Sequence, residues 1–425
     1  MIPFAEALRF WLKLGFISFG GPAGQIAIMH RVLVDEKKWI EESRFLHALN
    51  FCVLLPGPEA TKLATYVGWL LHGTRGGLAA GILFVLPGAL VMLGLSILYA
   101  LGRGIPVVES ALFGIKAAVL VIVIEALIRI GRRALKTRFL IGVAAAAFIG
   151  IHFFAVPFPL IVLGAALVGF YVTPRAAPAA STPLPGRWRH AALALGSGVA
   201  LWWIPVAAVA LVLGARHVLV EIGLFFSKLA VVSFGGAYAL LAYMAQQAVE
   251  NYHWMSAPEM VDGLGLAETT PGPLILVTQF VGFLGAYRDP APFAPLAAGV
   301  LGAAMTTWVT FVPPIMLIFA AAPFVEELRG NARLSGALAA ITAAVVGVIL
   351  NLTVWFALHV LFGEVHESHA GALRWYAFDP LALDLKVAAL AALAALLAFR
   401  LHRGLVELVL VMAALGIALR FILPG

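Results

Sequence analysis

Charge is scarce in this 425-residue chain: 12% of the residues are Asp, Glu, Lys or Arg, while 63% are apolar. A soluble domain carries about 25% charged residues, so a water-soluble multidomain enzyme is excluded. Cysteine is almost absent, with Cys52 alone in an apolar stretch, which excludes a disulfide scaffold. Also missing are a Walker A lysine motif, a Rossmann glycine fingerprint and a nucleophile elbow, so neither an ATPase nor a hydrolase is expected. The net charge of +7 gathers on no single basic face. Lys and Arg fall in short clusters between apolar runs, as they do in the loops of a membrane protein, and nucleic acid is not an expected partner. No cleavable leader is expected, because Glu6, Arg9 and Lys13 interrupt the first apolar stretch.

What the chain has in excess is hydrophobicity, with a mean hydropathy of +1.02. There is room for about ten or more spans at roughly 20 residues each, so the expected class is an all-α polytopic membrane protein. Several apolar segments are too short to span alone, among them 22–34, 45–55 and 58–72. Short segments broken by Gly and Pro read as half-helices or re-entrant hairpins.

The chain also repeats itself at an offset of 215 residues. Lys13-Leu14 matches Lys228-Leu229, Ser18-Phe19-Gly20-Gly21 matches Ser233-Phe234-Gly235-Gly236, Trp39 matches Trp254, and Pro56-Gly57-Pro58 matches Pro271-Gly272-Pro273. From Lys13 to Pro58, 14 of 46 positions are identical without a gap. A weaker match, Ala117-Ala118-Val119 with Ala343-Ala344-Val345, carries the repeat into later helices after a small insertion.

Loop charge sets the expected sense of the two copies. The loop from Arg31 to Arg44 carries Arg31, Lys37, Lys38 and Arg44, whereas its counterpart from Gln246 to Glu259 has no Lys or Arg. Arg129, Arg132, Arg133, Lys136 and Arg138 share one loop, while the later stretch from His359 to Pro380 has only Arg374 beside Glu364, Glu367 and Asp379. By the positive-inside rule the copies are inverted, with the N-terminus cytoplasmic. A parallel duplication with accidental charge bias is the alternative. The expected organisation is a first repeat over 1–172, a cytoplasmic linker over 173–190, a topology-inverting helix over 191–213 and a second repeat over 214–425.

Inverted repeats with broken helices are a plan of secondary transporters, whose substrate site lies at the repeat interface. The break points here are Gly20-Gly21-Pro22, Pro56-Gly57-Pro58, Gly235-Gly236 and Pro271-Gly272-Pro273. Each can leave a helix N-terminus whose free N–H groups and positive dipole end suit an anion. The plainer reading is that Gly and Pro only kink or closely pack these helices. Lys13 and Lys228, both five residues before SFGG, suit a divalent anion, unless they merely snorkel from helix ends. Lys62, one turn after Pro58, reaches the anion or pairs with Glu59. Ser18, Gln25, Thr61, Ser233, Thr269 and Thr270 supply hydrogen-bond donors near the breaks.

Acids within apolar segments are candidate proton carriers: Glu59, Glu125, Asp262, Glu268 and Asp384, with Glu125 the most deeply placed and Asp384 open to a local pairing with Lys386. None is matched in the other copy. Arg9 is open to pairing with Glu6 one turn earlier. His359, His366 and His369 flank a loop with Glu364 and Glu367, but their spacing matches no metal motif and a solvated loop is the preferred reading. Neither a metal nor a cofactor is expected.

The runs KLGFISFGGPAGQIAIMH (Lys13 to His30) and LLPGPEATKLATYVGWLLHGTRGG (Leu54 to Gly77) closely resemble the chromate ion transporter family in its long, two-domain form. SFGGAYALLAYM and TTPGPLILVTQFVGF fit that family's C-terminal copy, so the likeness covers nearly the whole chain. Two departures are Ala237 in place of Pro22 and Leu274 in place of Glu59. The resemblance implies an inner-membrane protein that expels chromate, driven by the proton gradient or the membrane potential, and confers chromate resistance, with sulfate as competitor. On this reading a tetrahedral dianion binds between the repeats, near Gly20 to Gly24, Gly57 to Thr61, Gly235 to Ala237 and Gly272 to Leu274. The expected partners are chromate, membrane lipids and a second copy in a homodimer. A sulfate or other oxyanion carrier is one alternative, and a membrane-embedded enzyme handling lipid phosphate is another.

Overall fold

The short apolar runs fold as short helices and the long runs as long ones. The computed structural model describes residues 2–19, 21–102, 104–174, 187–234, 237–325, 331–362 and 364–422. Gly20, Gly235, Gly236, Arg329 and residues 175–186 of the expected linker lie outside the described residues.

The first half of the chain contains α1 (Phe4–Ile17), α2 (Gly21–His30), α3 (Glu42–Val53), α4 (Glu59–Gly102), α5 (Pro106–Ala134), α6 (Arg138–Phe154) and α7 (Phe158–Val172). Then come α8 (Arg187–Leu213), α9 (Val218–Val231), α10 (Ala237–Gln246), α11 (Ala257–Thr269), α12 (Val277–Arg288), α13 (Pro295–Ala321) and α14 (Ala332–Leu361). A hairpin of β1 (Val365–Ala370) and β2 (Leu373–Phe378) precedes α15 (Leu385–Ala395) and α16 (Leu405–Ile422). Proline at the first helical position starts α5 and α13, where its missing N–H costs nothing. Side chains close other ends: Asp384 accepts from the N–H groups of Lys386 and Val387, so it caps α15 instead of pairing with the Lys386 ammonium.

Among the described residues, five helices are long and apolar enough to cross a membrane: Glu59–Gly102, Pro106–Ala134, Arg187–Leu213, Pro295–Phe324 and Ala332–Leu361. The 44-residue run of α4 is broken at His72 and Gly73, giving arms over 59–71 and 74–102. The arms touch where Gly68 faces Gly76, since a β-carbon on Gly68 would lie 2.5 Å from the Gly76 carbonyl oxygen. Such contacts between small residues are how helices approach closely in lipid.

The duplication is visible down to single hydrogen bonds. Each copy places a π-helical turn after its second helix, over Arg31–Glu36 and Gln247–Asn251. Lys38 and His253, equivalent at the offset of 215 and differing in side chain, share a left-handed backbone at φ 51° and 52°. The Trp39 N–H donates to Leu33 O at 2.8 Å, and the Trp254 N–H donates to Ala248 O at 2.9 Å.

The chain divides into two compact units, each drawn from both sequence halves. One comprises Met1–Ser96, Phe170–Ala237 and Thr270–Leu338. Within it α13 packs on α8, α9 and α12. The other comprises Ile97–Gly169, Tyr238–Thr269 and Ala339–Gly425. Its central helix is α5, covered by α11, α15 and α16 and buried continuously from Ala117 to Val123, as expected of a helix apolar all round.

The β hairpin stands where the sequence predicts a solvated loop. Its anchor is Arg374, 1% exposed, which donates to Ile151 O at 2.6 Å and His152 O at 3.1 Å, two carbonyls in the last turn of α6. These acceptors are among those a helix C-terminus leaves unpaired. Glu367 and Glu250 flank the guanidinium at 3.7 and 3.9 Å. Burial, and next the Glu367 charge, push the Glu250 carboxyl above its ordinary range. Arg374→Met is therefore expected to cost about 3 kcal/mol, because it strands buried acceptors and carboxylates. The penalty shrinks toward low pH as Glu250 takes up a proton, so thermal unfolding of the variant and the wild type at pH 5 and pH 8 checks it.

Candidate functional site

The helix breaks of the two copies meet in the unit that holds α1, α4, α9 and α13. A broken helix leaves N–H and C=O groups unpaired, and at membrane depth these must find partners within the protein. Here they find them crosswise. The Gly57 N–H donates to Ser233 O at 2.9 Å, and the Gly272 N–H donates to Ser18 O at 2.8 Å. At the offset of 215, Gly57 is equivalent to Gly272 and Ser18 to Ser233, so each copy's PGP turn is bonded to the other copy's SFGG break. Such reciprocity is what a local two-fold relation between equivalent segments produces.

Both turn glycines have backbones that side chains rarely adopt, with φ of 110° at Gly57 and 90° at Gly272. Each turn is backed by the other copy's long helix. A β-carbon on Gly57 would lie 2.5 Å from Cβ and Cγ of Pro314, and one on Gly272 would lie 3.5 Å from Gly88 Cα. Gly88 and Pro314 are related by 226 residues, the offset of the weaker match between Ala117 and Ala343.

Polar side chains converge on this backbone. Gln25, 1% exposed, donates from Nε2 to Gly272 O at 2.5 Å and to Ser18 O at 3.4 Å, tying α2 to both breaks. The Ser233 hydroxyl donates to Ala230 O at 2.7 Å. The hydroxyls of Ser18 and Thr61, in fully buried residues, have no hydrogen-bond partner among the described residues. Lys62, in the first turn of α4, is 2% exposed, and its ammonium donates to Leu55 O. Among the described residues no carboxylate forms an ion pair with it. An unpaired cation, two orphan hydroxyls and the positive end of a helix form an environment short of negative charge.

Other predicted residues fall elsewhere. Lys13 and Lys228 are exposed, on faces of α1 and α9 away from the buried residues beside them. Gly21 begins α2 with φ 74°, and Pro22, Pro58 and Glu59 are half-buried. Thr270 is buried beside the second PGP turn, while the half-buried Thr269 donates to Leu266 O at 2.8 Å. Thr269, Glu268 and Glu125 belong to the other unit. There Glu268 is buried, but Glu125 has a side chain 46% exposed and lies 3.5 Å from Arg129, not deep in the helix core. Glu6 pairs with Lys37 at 2.7 Å instead of with Arg9. The histidines of the hairpin pair with neighbouring acids, His366 with Glu364 and His369 with Glu367, and no metal cluster occurs among the described residues. Among the lysines the sequence points to Lys13, Lys62 and Lys228 and passes over Lys116, although a charged residue inside the apolar run from 107 to 130 was a signal of the same kind.

A family model described as chromate transporter matches residues 5–170 and 220–419, leaving out α8 and the segment before it. A chromate transport protein of Pseudomonas aeruginosa is 34% identical over 352 residues, covering 81% of this chain and 79% of its own. A probable chromate transport protein of Synechococcus elongatus is 29% identical over 353 residues, covering 82% and 83%. A chromate transport protein of Cupriavidus metallidurans is 27% identical over 359 residues, covering 82% and 81%. No solved structure matches the chain. A multi-pass helical protein whose two halves both match the same family, and whose relatives align over about four fifths of its length, belongs to the chromate transporter family.

Proposed function

We propose that this protein exports chromate from the cytoplasm by alternating access, using the proton gradient or the membrane potential, and so confers chromate resistance. The carrying observation is the crossed pair of breaks, Gly57 on Ser233 and Gly272 on Ser18, with the unpaired ammonium of Lys62 one turn from Pro58. A tetrahedral dianion needs hydrogen-bond donors and a countercharge in a dry site, and the unpartnered hydroxyls of Ser18 and Thr61 with the buried ammonium of Lys62 answer to that need. Lys62, Ser18, Thr61, Gln25, Gly57 and Gly272 form its centre. Lys13, Lys228, Gly21, Pro22, Pro58, Ser233, Thr269 and Thr270, with Gly20, Gly235 and Gly236 outside the described residues, are the outer candidates.

The loop charges favour inverted copies, 1–172 and 214–425, joined by a cytoplasmic linker and the α8 segment in an inner-membrane protein with its N-terminus inside. Membrane lipids and a second copy are its partners, and sulfate competes because it shares shape and charge.

Labelled chromate and sulfate are supplied to inverted vesicles with an imposed proton gradient. Chromate accumulation that unlabelled sulfate inhibits is expected, whereas accumulation of sulfate alone would overturn the substrate. Ser18→Ala and Thr61→Ala are each expected to raise the half-saturating chromate concentration about two- to tenfold, the worth of one hydrogen bond. Thermal stability should hold or rise, since each change removes a buried unpaired hydroxyl.

A further inference from the structure

A polar cavity lies within the other unit. It has a volume of about 360 Å³, and Tyr99, Glu109, Lys116, Ser256, Glu259 and Asp262 are among the residues that line it. Local sequence builds it. Glu259 reaches back to the start of α11, where the Ser256 N–H and hydroxyl donate to its Oε2 at 2.7 and 2.9 Å, one half of a capping box. Asp262 follows three residues later on the same face. Gly265 lets α11 approach α5, since a β-carbon there would lie 2.3 Å from Ile115 Cγ2, and this contact brings Asp262 against Lys116.

Asp262 is 5% exposed. Its Oδ2 accepts from the Tyr99 hydroxyl at 2.9 Å. Its Oδ1 is buried, accepts no hydrogen bond and lies 3.5 Å from Lys116 Nζ, beyond ordinary hydrogen-bond length. The other acids are otherwise engaged: Glu259 caps α11, and the exposed Glu109 accepts from the Gly104 N–H at 3.2 Å. α16 also packs on α11, and its Glu407 is half-exposed and paired with Arg403 at 3.0 Å. Three carboxylates thus share one cavity with a single ammonium. The ammonium opposes a metal cation, whereas a proton on Asp262 Oδ1 reduces the excess negative charge without displacing any group. Neither Asp262 nor Lys116 is matched in the other copy, where His47 and Thr342 stand. The site belongs to the asymmetric part of the molecule, as suits a coupling step that occurs once per cycle.

We propose that Asp262, set between Lys116 and Tyr99, is the proton-binding carboxylate that couples transport to the proton gradient. This rests on the proton-driven reading given above. In one step a proton from the acidic side adds to Oδ1 and weakens the pairing with Lys116; in the return step it leaves to the other side and the ion pair reforms.

The test uses the full chain in inverted vesicles, comparing chromate accumulation driven by an acid interior with chromate–chromate exchange at equal pH. Asp262→Asn is expected to lose at least tenfold in accumulation and to keep exchange within twofold. Tyr99→Phe and Lys116→Met remove groups that favour the ionised carboxylate, so their rate–pH curves should move upward by half a unit or more. Gradient-driven accumulation at the wild-type level in Asp262→Asn would overturn the assignment. So would loss of both activities in that variant together with unshifted curves in the other two. A wild type that accumulates chromate under a membrane potential but ignores the pH gradient would instead overturn the proton-driven reading itself, and the assignment with it.

Discussion

Alanine at Gly57 is expected to lower the initial rate of chromate transport by at least about tenfold and to destabilise the protein, more so than alanine at the equivalent Gly272. Both positions have positive φ, 110° and 90°, where a side chain costs about 1–3 kcal/mol of strain. Only Gly57 also faces a wall: its added carbon would sit 2.5 Å from two carbons of Pro314, and such overpacking costs a further 1–3 kcal/mol or so. At Gly272 the nearest atom is Leu276 Cδ1 at 3.4 Å, the end of a flexible side chain. The turn cannot relax freely, because its N–H is held by Ser233 O across the repeat. Pro314→Ala in the Gly57→Ala background removes the wall but not the strain. The double variant should therefore recover to the level of Gly272→Ala. Transport rates and detergent melting temperatures of the four proteins decide the matter: no recovery would mean that the backbone conformation alone carries the defect, and equal defects in the two single variants would remove Pro314 from the account.

The duplication could be read from the sequence because it rests on residue types with special backbone demands. SFGG, PGP and the tryptophan recur in one register, and equivalent turns and hydrogen bonds recur with them. The crossed pairing could not be read, because a bond between a carbonyl and an amide N–H has no side-chain signature. Matching between copies is a signal of symmetry and not of burial. Lys13 and Lys228 are symmetric, but on α1 the buried residues are Ala7, Phe10, Trp11, Leu14 and Gly15, a stripe at helical spacing that leaves Lys13 on an exposed face. Lys62, unmatched in the other copy, follows Pro58 by four residues in the first turn of α4 and is 2% exposed. The β hairpin escaped for a different reason. Its first strand carries His, Glu and Ser where alternating apolar residues would signal a strand, and Arg374 of the second holds the hairpin through carbonyls of α6.

Lys62→Met is expected to separate transport from stability. The ammonium is buried, donates to a single carbonyl and has no carboxylate partner among the described residues, so in the empty protein it is a net cost. Replacing a buried charge by an apolar side chain of similar length is expected to leave stability unchanged or to raise it by about 1–4 kcal/mol. Transport should fall by about a hundredfold, because a dianion entering the site would lose a buried countercharge, worth about 3 kcal/mol. Lys62→Arg keeps the charge on a larger, planar group and should retain partial activity with a weaker apparent affinity. Ligand-dependent melting provides the check without a transport assay. Chromate at about 100 times its dissociation constant should stabilise the wild type by about 2.7 kcal/mol, and the methionine variant by almost nothing at the same concentration. A structural role for Lys62 makes the opposite forecast, with the apo variant melting earlier and chromate stabilising both proteins equally. The sign of the apo shift therefore distinguishes a lysine kept for the anion from one kept for the fold.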